Sequence, residues 1–231
     1  ELYDFIRNKN GRLFVNRDNE LLMNLSNGID SNTYGKDNNA DIKASIVSSN
    51  PYLIINWEGN EIKTNLVGDY NFENVMAAIS AGCHFNIDKS LIIESLENYT
   101  PTNNRSQFIK SEKNEIVMDA YNANPVSMSH AIKNFRNISS ENTLLILGDM
   151  RELGKDSEKE HQVIISLIKE LEFKNVILVG EEFKKTAGTG FTTFTNVEEL
   201  LAFINDNDIS GKKILIKGSN SINLKSIVNV L

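Results

Sequence analysis

From residue 115 onward the chain alternates short apolar runs with amphipathic stretches, and this alternation constrains the fold more than any other feature. The apolar runs fall at 115–119, 143–147, 175–179, 191–194 and 212–216. Helical periodicity falls among and after them, at 126–137, 157–171, 197–206 and 221–229. A strand apolar on both sides must be covered on both faces. A strand–helix repeat with short turns therefore predicts an α/β fold with a mostly parallel sheet. Ser157 with Glu160, and Asn196 with Glu199, have the spacing of capping boxes. No repeat of solenoid period is present.

The first hundred residues read as mixed. Glu1–Ile6 looks like part of a helix, and Glu1 is not an initiator methionine, so a longer parent chain is expected. Strands are expected at Arg12–Val15, Ser45–Val47, Tyr52–Trp57 and Glu61–Val67, the last two joined by a tight turn at Glu58–Asn60. Asp18–Leu25 suits a short helix, and Ser31–Asn39 reads as a polar loop. A small-residue helix follows over Asn74–Ala81, and Asp88 suits the cap of another carrying Leu91, Ile92 and Leu96. Thr100–Asn104 is punctuated like a linker, which sets the expected domains at 1–103 and 104–231.

In a parallel sheet the strand ends share one edge, and ligands of open α/β sheets bind outside the carboxyl ends of the strands. Four such ends carry chemistry: Asp119-Ala-Tyr-Asn-Ala-Asn124, Gly148-Asp-Met-Arg-Glu-Leu-Gly154, Gly180-Glu-Glu182 and Lys217-Gly-Ser-Asn220. Asp119 suits ribose hydroxyls, while Asn122 and Asn124 place polar ligand atoms without adding charge. Asn124 with Pro125 equally suits a helix cap and first turn. Lys217 suits a carboxylate or phosphate, with Ser219 as a neighbouring donor; the plain alternative is a solvent-facing lysine at a turn. Asp149 and Glu152 are chemically suited to magnesium, although no spacing demands it. Asn71 and Asn74 stand at i and i+3, where paired carboxamides can read an adenine edge; Asn71 as a helix cap is the competing reading. Arg105 can bridge a phosphate or form a surface ion pair. His84, His130 and His161 are isolated in sequence and read as helix-face residues rather than catalysts.

A net charge of -7 argues against broad non-specific nucleic-acid binding. No run is long and apolar enough to span a membrane. Cys83 is the single cysteine, which fits a reducing, cytoplasmic setting.

Taken together, several segments occur in order: Gly68-Asp-Tyr-Asn-Phe-Glu-Asn74, Arg105-Ser-Gln107, Asp119-Ala-Tyr-Asn-Ala-Asn-Pro-Val-Ser127, Leu147-Gly-Asp-Met-Arg-Glu-Leu-Gly154 with His161, and Lys217-Gly-Ser219. In this combination the chain closely resembles the Mur ligase family, in the branch that also carries the pattern Asn32-Thr-Tyr-Gly35. The resemblance implies the end of a central ATP-binding domain followed by a Rossmann-like C-terminal domain. It implies an ATP- and Mg2+-dependent amide ligase of cell-wall synthesis whose partners are UDP-N-acetylmuramoyl-tripeptide and D-alanyl-D-alanine, acting as a monomer. It further implies that Asn71 and Asn74 contact the base, Arg105 the phosphates and Asp119 the ribose, with Asn122 and Asn124 beside them and Lys217 and Ser219 toward the dipeptide. The phosphate loop and metal ligands are expected upstream, and no catalytic residue is assigned within this chain. Tyr70 stands where many relatives have histidine, and Asn220 where arginine is common, so contacts by those side chains are not carried over. Two other readings stand: a relative with different peptide specificity, and a noncatalytic module binding a small acidic molecule at the same edge.

Overall fold

A computed structural model describes residues 1–102, 106–138 and 142–231. The chain divides into two compact units, Glu1–Thr100 and Pro101–Leu231.

The first unit contains α1 (Leu2–Asn8), β1 (Leu13–Asn16), α2 (Glu20–Leu25), β2 (Ser31–Gly35), β3 (Ile42–Ser48), β4 (Tyr52–Trp57), β5 (Asn60–Val67), α3 (Phe72–His84) and α4 (Lys89–Asn98). Its five strands run in chain order across one sheet, parallel from β1 to β3 and antiparallel from β3 to β5. Alternation on β4 sends Leu53, Ile55 and Trp57 inward. Phe72, Val75, Met76 and Ile79 recur at helical spacing along α3 and close over that face. Truncating Ile79 to alanine in such a core costs about 2–5 kcal/mol.

Ser31–Gly35, expected as loop, is a strand. It pairs in parallel with β1, Thr33 opposite Val15. Its polar residues are accommodated because the Thr33 N–H and hydroxyl both donate to Asp41 Oδ2, each at 2.7 Å. Those bonds, led by the backbone one, hold the Asp41 carboxyl below its usual range.

The second unit contains β6 (Gln107–Lys110), β7 (Glu115–Asp119), α5 (Pro125–Ile138), β8 (Thr143–Gly148), α6 (Ser157–Glu170), β9 (Val176–Val179), α7 (Glu181–Thr186), β10 (Thr192–Phe194), α8 (Val197–Asp206) and β11 (Lys213–Lys217). The strand order is β10-β9-β8-β11-β7-β6, all parallel except β6 against β7. β8 and β9 are buried along their whole length, the burial their unbroken apolar sequences require.

Three local expectations are corrected. The stretch 221–229 forms 3-10 turns at Asn220–Ile222 and Leu224–Val230 rather than one helix. Asn223 separates them in the left-handed conformation (φ 58), which asparagine tolerates better than most residues. Ser157 does not cap α6; its hydroxyl donates instead to Glu182 Oε2 at 2.9 Å. Asp88 is the cap residue of α4 but makes no side-chain cap bond. The Asn196 cap does form, with Oδ1 accepting from the Glu199 N–H at 2.9 Å.

Candidate functional site

The carboxyl edge of the second sheet gathers the ends of β7, β11 and β8, in that spatial order. Register places Lys217 beside Asp119 on one side and beside Leu147 on the other. Lys217 Nζ donates to Asp119 Oδ2 at 2.7 Å and to the Asn122 carbonyl at 3.3 Å. Lys217 is only 1% exposed, so the solvent-facing alternative is wrong for it. The other Asp119 oxygen, Oδ1, accepts from the Ser106 N–H at 3.3 Å. A carboxylate offers about four lone-pair positions. Asp119 therefore keeps acceptor capacity for a ligand, and its side chain is 14% exposed.

Asn122 and Asn124 are both exposed on the turn into α5. Each spends its carboxamide oxygen locally: Asn122 Oδ1 accepts from the Ala123 N–H, and Asn124 Oδ1 from the Ser127 N–H, both at 2.8 Å. Asn124 is thus the cap ahead of Pro125, and its amide nitrogen is what remains for a ligand.

Beyond β8, Asp149 is completely buried. Its Oδ2 accepts from the Glu182 N–H (3.0 Å) and its Oδ1 from the Phe183 N–H (2.9 Å), at the start of α7. Its carbonyl accepts from the Ser219 N–H at 3.1 Å, and Ser219 Oγ accepts from the Arg151 N–H at 2.9 Å. Full burial, with a backbone N–H on each oxygen, leaves Asp149 unsuited to magnesium. Gly180 makes the arrangement feasible: a Cβ there would lie 2.2 Å from Asp149 Cγ, and its φ is +125. Gly218 does the same for the approach of β11 to β8, since a Cβ on it would meet Gly148 Cα at 2.9 Å.

His161, also fully buried, faces Asp149 with Nε2 3.6 Å from Oδ1. That distance alone suggests an ion pair, but the hydrogen bonds say otherwise. Met150 N–H donates to Nε2 at 3.1 Å, which requires an unprotonated Nε2, and Nδ1 lies 2.7 Å from the Ser157 carbonyl, which requires a proton on Nδ1. The ring is the neutral Nδ1–H tautomer. Nearby, hydrogen bonds from Lys185 and then Ser157 hold the Glu182 carboxyl below its ordinary value.

In the first unit Asn71 is buried at the start of α3. Its Nδ2 donates to the Val67 carbonyl at 2.8 Å, and its Oδ1 accepts from Asn74 Nδ2 at 3.1 Å. Asn71 therefore does not cap α3 through its side chain. It orients Asn74, whose exposed carboxamide oxygen faces no partner among the described residues. Arg105 lies outside the described residues. A cleft of about 750 Å3 between α5 and α6 mixes Lys133, Lys155 and Lys159 with Glu158 and Glu170, and contains none of the residues singled out from sequence.

The second unit's edge thus juxtaposes Asp119, Lys217 and Asn122 directly, and Ser219 with Asp149 and Arg151. Sequence reasoning missed the Asp149–His161 pairing. The signal available was His161 standing one helix turn into the segment that follows the glycine-flanked loop.

Comparison with known families fits this architecture. Residues 1–82 match the Mur ligase middle domain, and residues 104–220 match the Mur ligase, glutamate ligase domain. The chain belongs to the Mur ligase family. It is 29% identical over 236 residues to the UDP-N-acetylmuramoyl-tripeptide--D-alanyl-D-alanine ligase of Bacillus subtilis (strain 168), covering 96% of this chain and 51% of that protein. The enzyme of the same name from Buchnera aphidicola subsp. Baizongia pistaciae is 36% identical over 172 residues, 72% of this chain and 37% of the relative. The chain therefore spans about half or less of the length of these relatives. Among solved structures, MurF from Acinetobacter baumannii superposes with a TM-score of 0.80 at 20% identity, over 95% of this chain and 51% of that one. MurF ligase from Thermotoga maritima in complex with ADP gives 0.78 at 16% identity, over 95% of this chain and 52% of that one. Among the described residues no helix is long and apolar enough to cross a membrane.

Proposed function

We propose that the whole protein is an ATP-dependent amide ligase of peptidoglycan synthesis, joining D-alanyl-D-alanine to a UDP-N-acetylmuramoyl-tripeptide, and that this chain supplies part of the nucleotide site and the acceptor side. The observation that supports this most is the match across 96% of the chain to a ligase of that name. In the expected reaction the γ-phosphoryl group moves from ATP to the tripeptide carboxylate. The amine of D-alanyl-D-alanine then attacks the acyl phosphate, an amide forms and phosphate leaves.

Within that reading residues 1–103 belong to the middle domain and 104–231 to the C-terminal domain. Asn74 Oδ1 accepts from the exocyclic amine of adenine, held in place by Asn71. Asp119 accepts ribose hydroxyls through its remaining lone pairs, with Lys217 fixing its orientation. Asn122 and Asn124 offer amide donors beside it, and Arg105 serves the phosphates. Ser219 is a donor to the dipeptide, whereas Lys217 acts through Asp119 rather than meeting the dipeptide itself. Orientation of the two reactants is the main contribution such residues make, an effect worth up to about 7–11 kcal/mol in favourable systems. The family also implies Mg2+. Among the described residues no three His, Cys, Asp or Glu side chains converge to hold one, so no step here is routed through it.

The test is phosphate release by the whole protein with ATP and the UDP-linked tripeptide, with and without D-alanyl-D-alanine. Release that requires the dipeptide supports the reading. Release with a different amino acid or peptide instead moves the protein to another acceptor specificity. No turnover and no nucleotide binding in folded protein would leave the noncatalytic module.

A further inference from the structure

A cavity of about 310 Å3 opens at the amino edge of the second sheet, where β8, β9 and β10 begin. These strands are parallel, so the cavity lies at the opposite end of the sheet from Asp119 and Lys217. β8 runs from Thr143 to Gly148, which sets the two edges roughly 15 Å apart. A volume near about 300 Å3 is at the lower end of small-ligand sites.

The walls are aromatic and come from separate segments: Phe173 ahead of β9, Phe191 ahead of β10 and Phe203 on α8. Each ring is held by a neighbour that does not line the cavity. Phe173 stacks on Phe135 at 6.3 Å, Phe203 meets Phe194 at 5.2 Å, and Lys169 Nζ lies 5.8 Å from the centre of the Phe191 ring. Walls fixed in this way need no ordering when a ligand arrives, which removes one of the costs of binding.

The charge at the rim is one-sided. Lys174 and Lys212 line the cavity and take part in no ion pair among the described residues, whereas the acidic lining residue, Asp208, is already engaged. Asp208 Oδ2 accepts from the Ser210 hydroxyl at 3.0 Å, and Oδ1 pairs with Lys113 at 3.3 Å. Those two bonds hold its carboxyl below the usual range. Two cations are therefore left for a ligand, on a chain whose net charge is -7. A lysine ammonium rides on a flexible stem, so either one can swing over the mouth.

We propose that this cavity binds a flat aromatic monoanion, with its ring between the phenylalanine walls and its carboxylate or sulfonate at the mouth with Lys174 and Lys212. Offset and edge-on ring contacts suit such walls. An anion suits the rim better than a cation, because the one acid there already has its partners. Binding needs neither ATP nor the acceptor peptide.

Calorimetric titration of the whole protein with 2-naphthoate, in the absence of other ligands, tests this. Saturable one-to-one binding is expected. The neutral analogue 2-naphthalenemethanol should bind about fivefold more weakly, and Lys174→Ala combined with Lys212→Ala should weaken 2-naphthoate by a similar factor, the scale of charge pairs at an exposed rim. Gly190→Trp should abolish binding. Gly190 lines the cavity, and a Cβ on it meets no atom within 4 Å, so the backbone can carry a ring that fills the mouth. No saturable binding of 2-naphthoate overturns the proposal, as does a neutral analogue that binds equally well. Binding that survives Gly190→Trp in a variant with the wild-type unfolding midpoint also overturns it, and would place the ligand on exposed apolar side chains elsewhere, such as Phe85. Should Gly190→Trp not fold, the lysine variant and the neutral analogue still decide, since neither lysine is a core residue.

Discussion

Asp119 and Asp149 stand at the carboxyl ends of β7 and β8, on either side of β11, and the protein uses them in opposite ways. Asp149 is sealed: both oxygens face backbone N–H groups, and its exposure is 0%. Asp119 is braced but open, with a lysine on one oxygen, a single backbone donor on the other, and an edge toward solvent. Backbone donors cannot leave without unwinding α7, whereas a carboxylate with spare lone pairs can add a partner. The same side chain thus serves as architecture at one strand end and as a ligand-facing group at the other.

Asp149→Ala breaks the sealed side most severely. It strands the Glu182 and Phe183 N–H groups in a buried setting, and we expect a loss of about 3–5 kcal/mol in urea unfolding. A loss under about 1 kcal/mol would mean the α7 start is held by something else. Gly180→Ala attacks the same point through space rather than charge. With its Cβ 2.2 Å from Asp149 Cγ, it should cost about 2–3 kcal/mol by the same measurement. On the open side, Lys217→Met should cost about 1–2 kcal/mol, because Asp119 retains some access to water. Adding Asp119→Leu should recover part of that loss, and a double variant no better than the single would show that the pair is not coupled. Asp119→Asn keeps the shape but removes the charge. It should weaken ADP binding about tenfold by calorimetry and cost about 1–2 kcal/mol in unfolding, because Lys217 keeps only a neutral acceptor, and equal affinities would remove Asp119 from the ribose.

The smallest expected effect is at the rim of the sealed side. The Glu182 carboxyl is held below its ordinary value of 4.5 by bonds from Lys185 and Ser157. A depressed carboxylate contributes stability that is present above its unfolded pKa and is lost as pH falls through the folded one. Glu182→Gln should therefore lower stability slightly at neutral pH and flatten the acid-side decline below about pH 4.5, so that variant and wild type converge in acid, as read from unfolding midpoints across pH. A difference that persists undiminished in acid would contradict this assignment.

The sequence made the continuous signals readable. The unbroken apolar runs of β8 and β9 read as buried strands, and the small residues of Asn74–Ala81 read as a helix, which the structure extends to Phe72–His84. Signals that depend on a distant partner were not readable. Ser31–Gly35 looked like a loop because its polarity is resolved by Asp41. The stretch 221–229 has helical periodicity, and only the backbone of Asn223 shows that it breaks there. Nothing local in Lys217 announces a partner 98 residues away, nor does Asp149 announce backbone donors 33 and 34 residues on. β6 and α7 were too short to carry a period.

The last strand of the second sheet in chain order lies in the middle of it. During synthesis β7 and β8 are complete long before β11 exists, and each then presents an unpaired, apolar edge. The centre of the sheet closes only when residues 213–217 arrive, and Lys217 then pairs with Asp119 at its carboxyl edge. Protease resistance of this unit in ribosome-bound chains should therefore appear as a single late step after β11 emerges, and gradual protection beginning with β8 would count against it. For a growing chain, the strand that finishes the sheet also brings the buried cation that its carboxylate edge must hold.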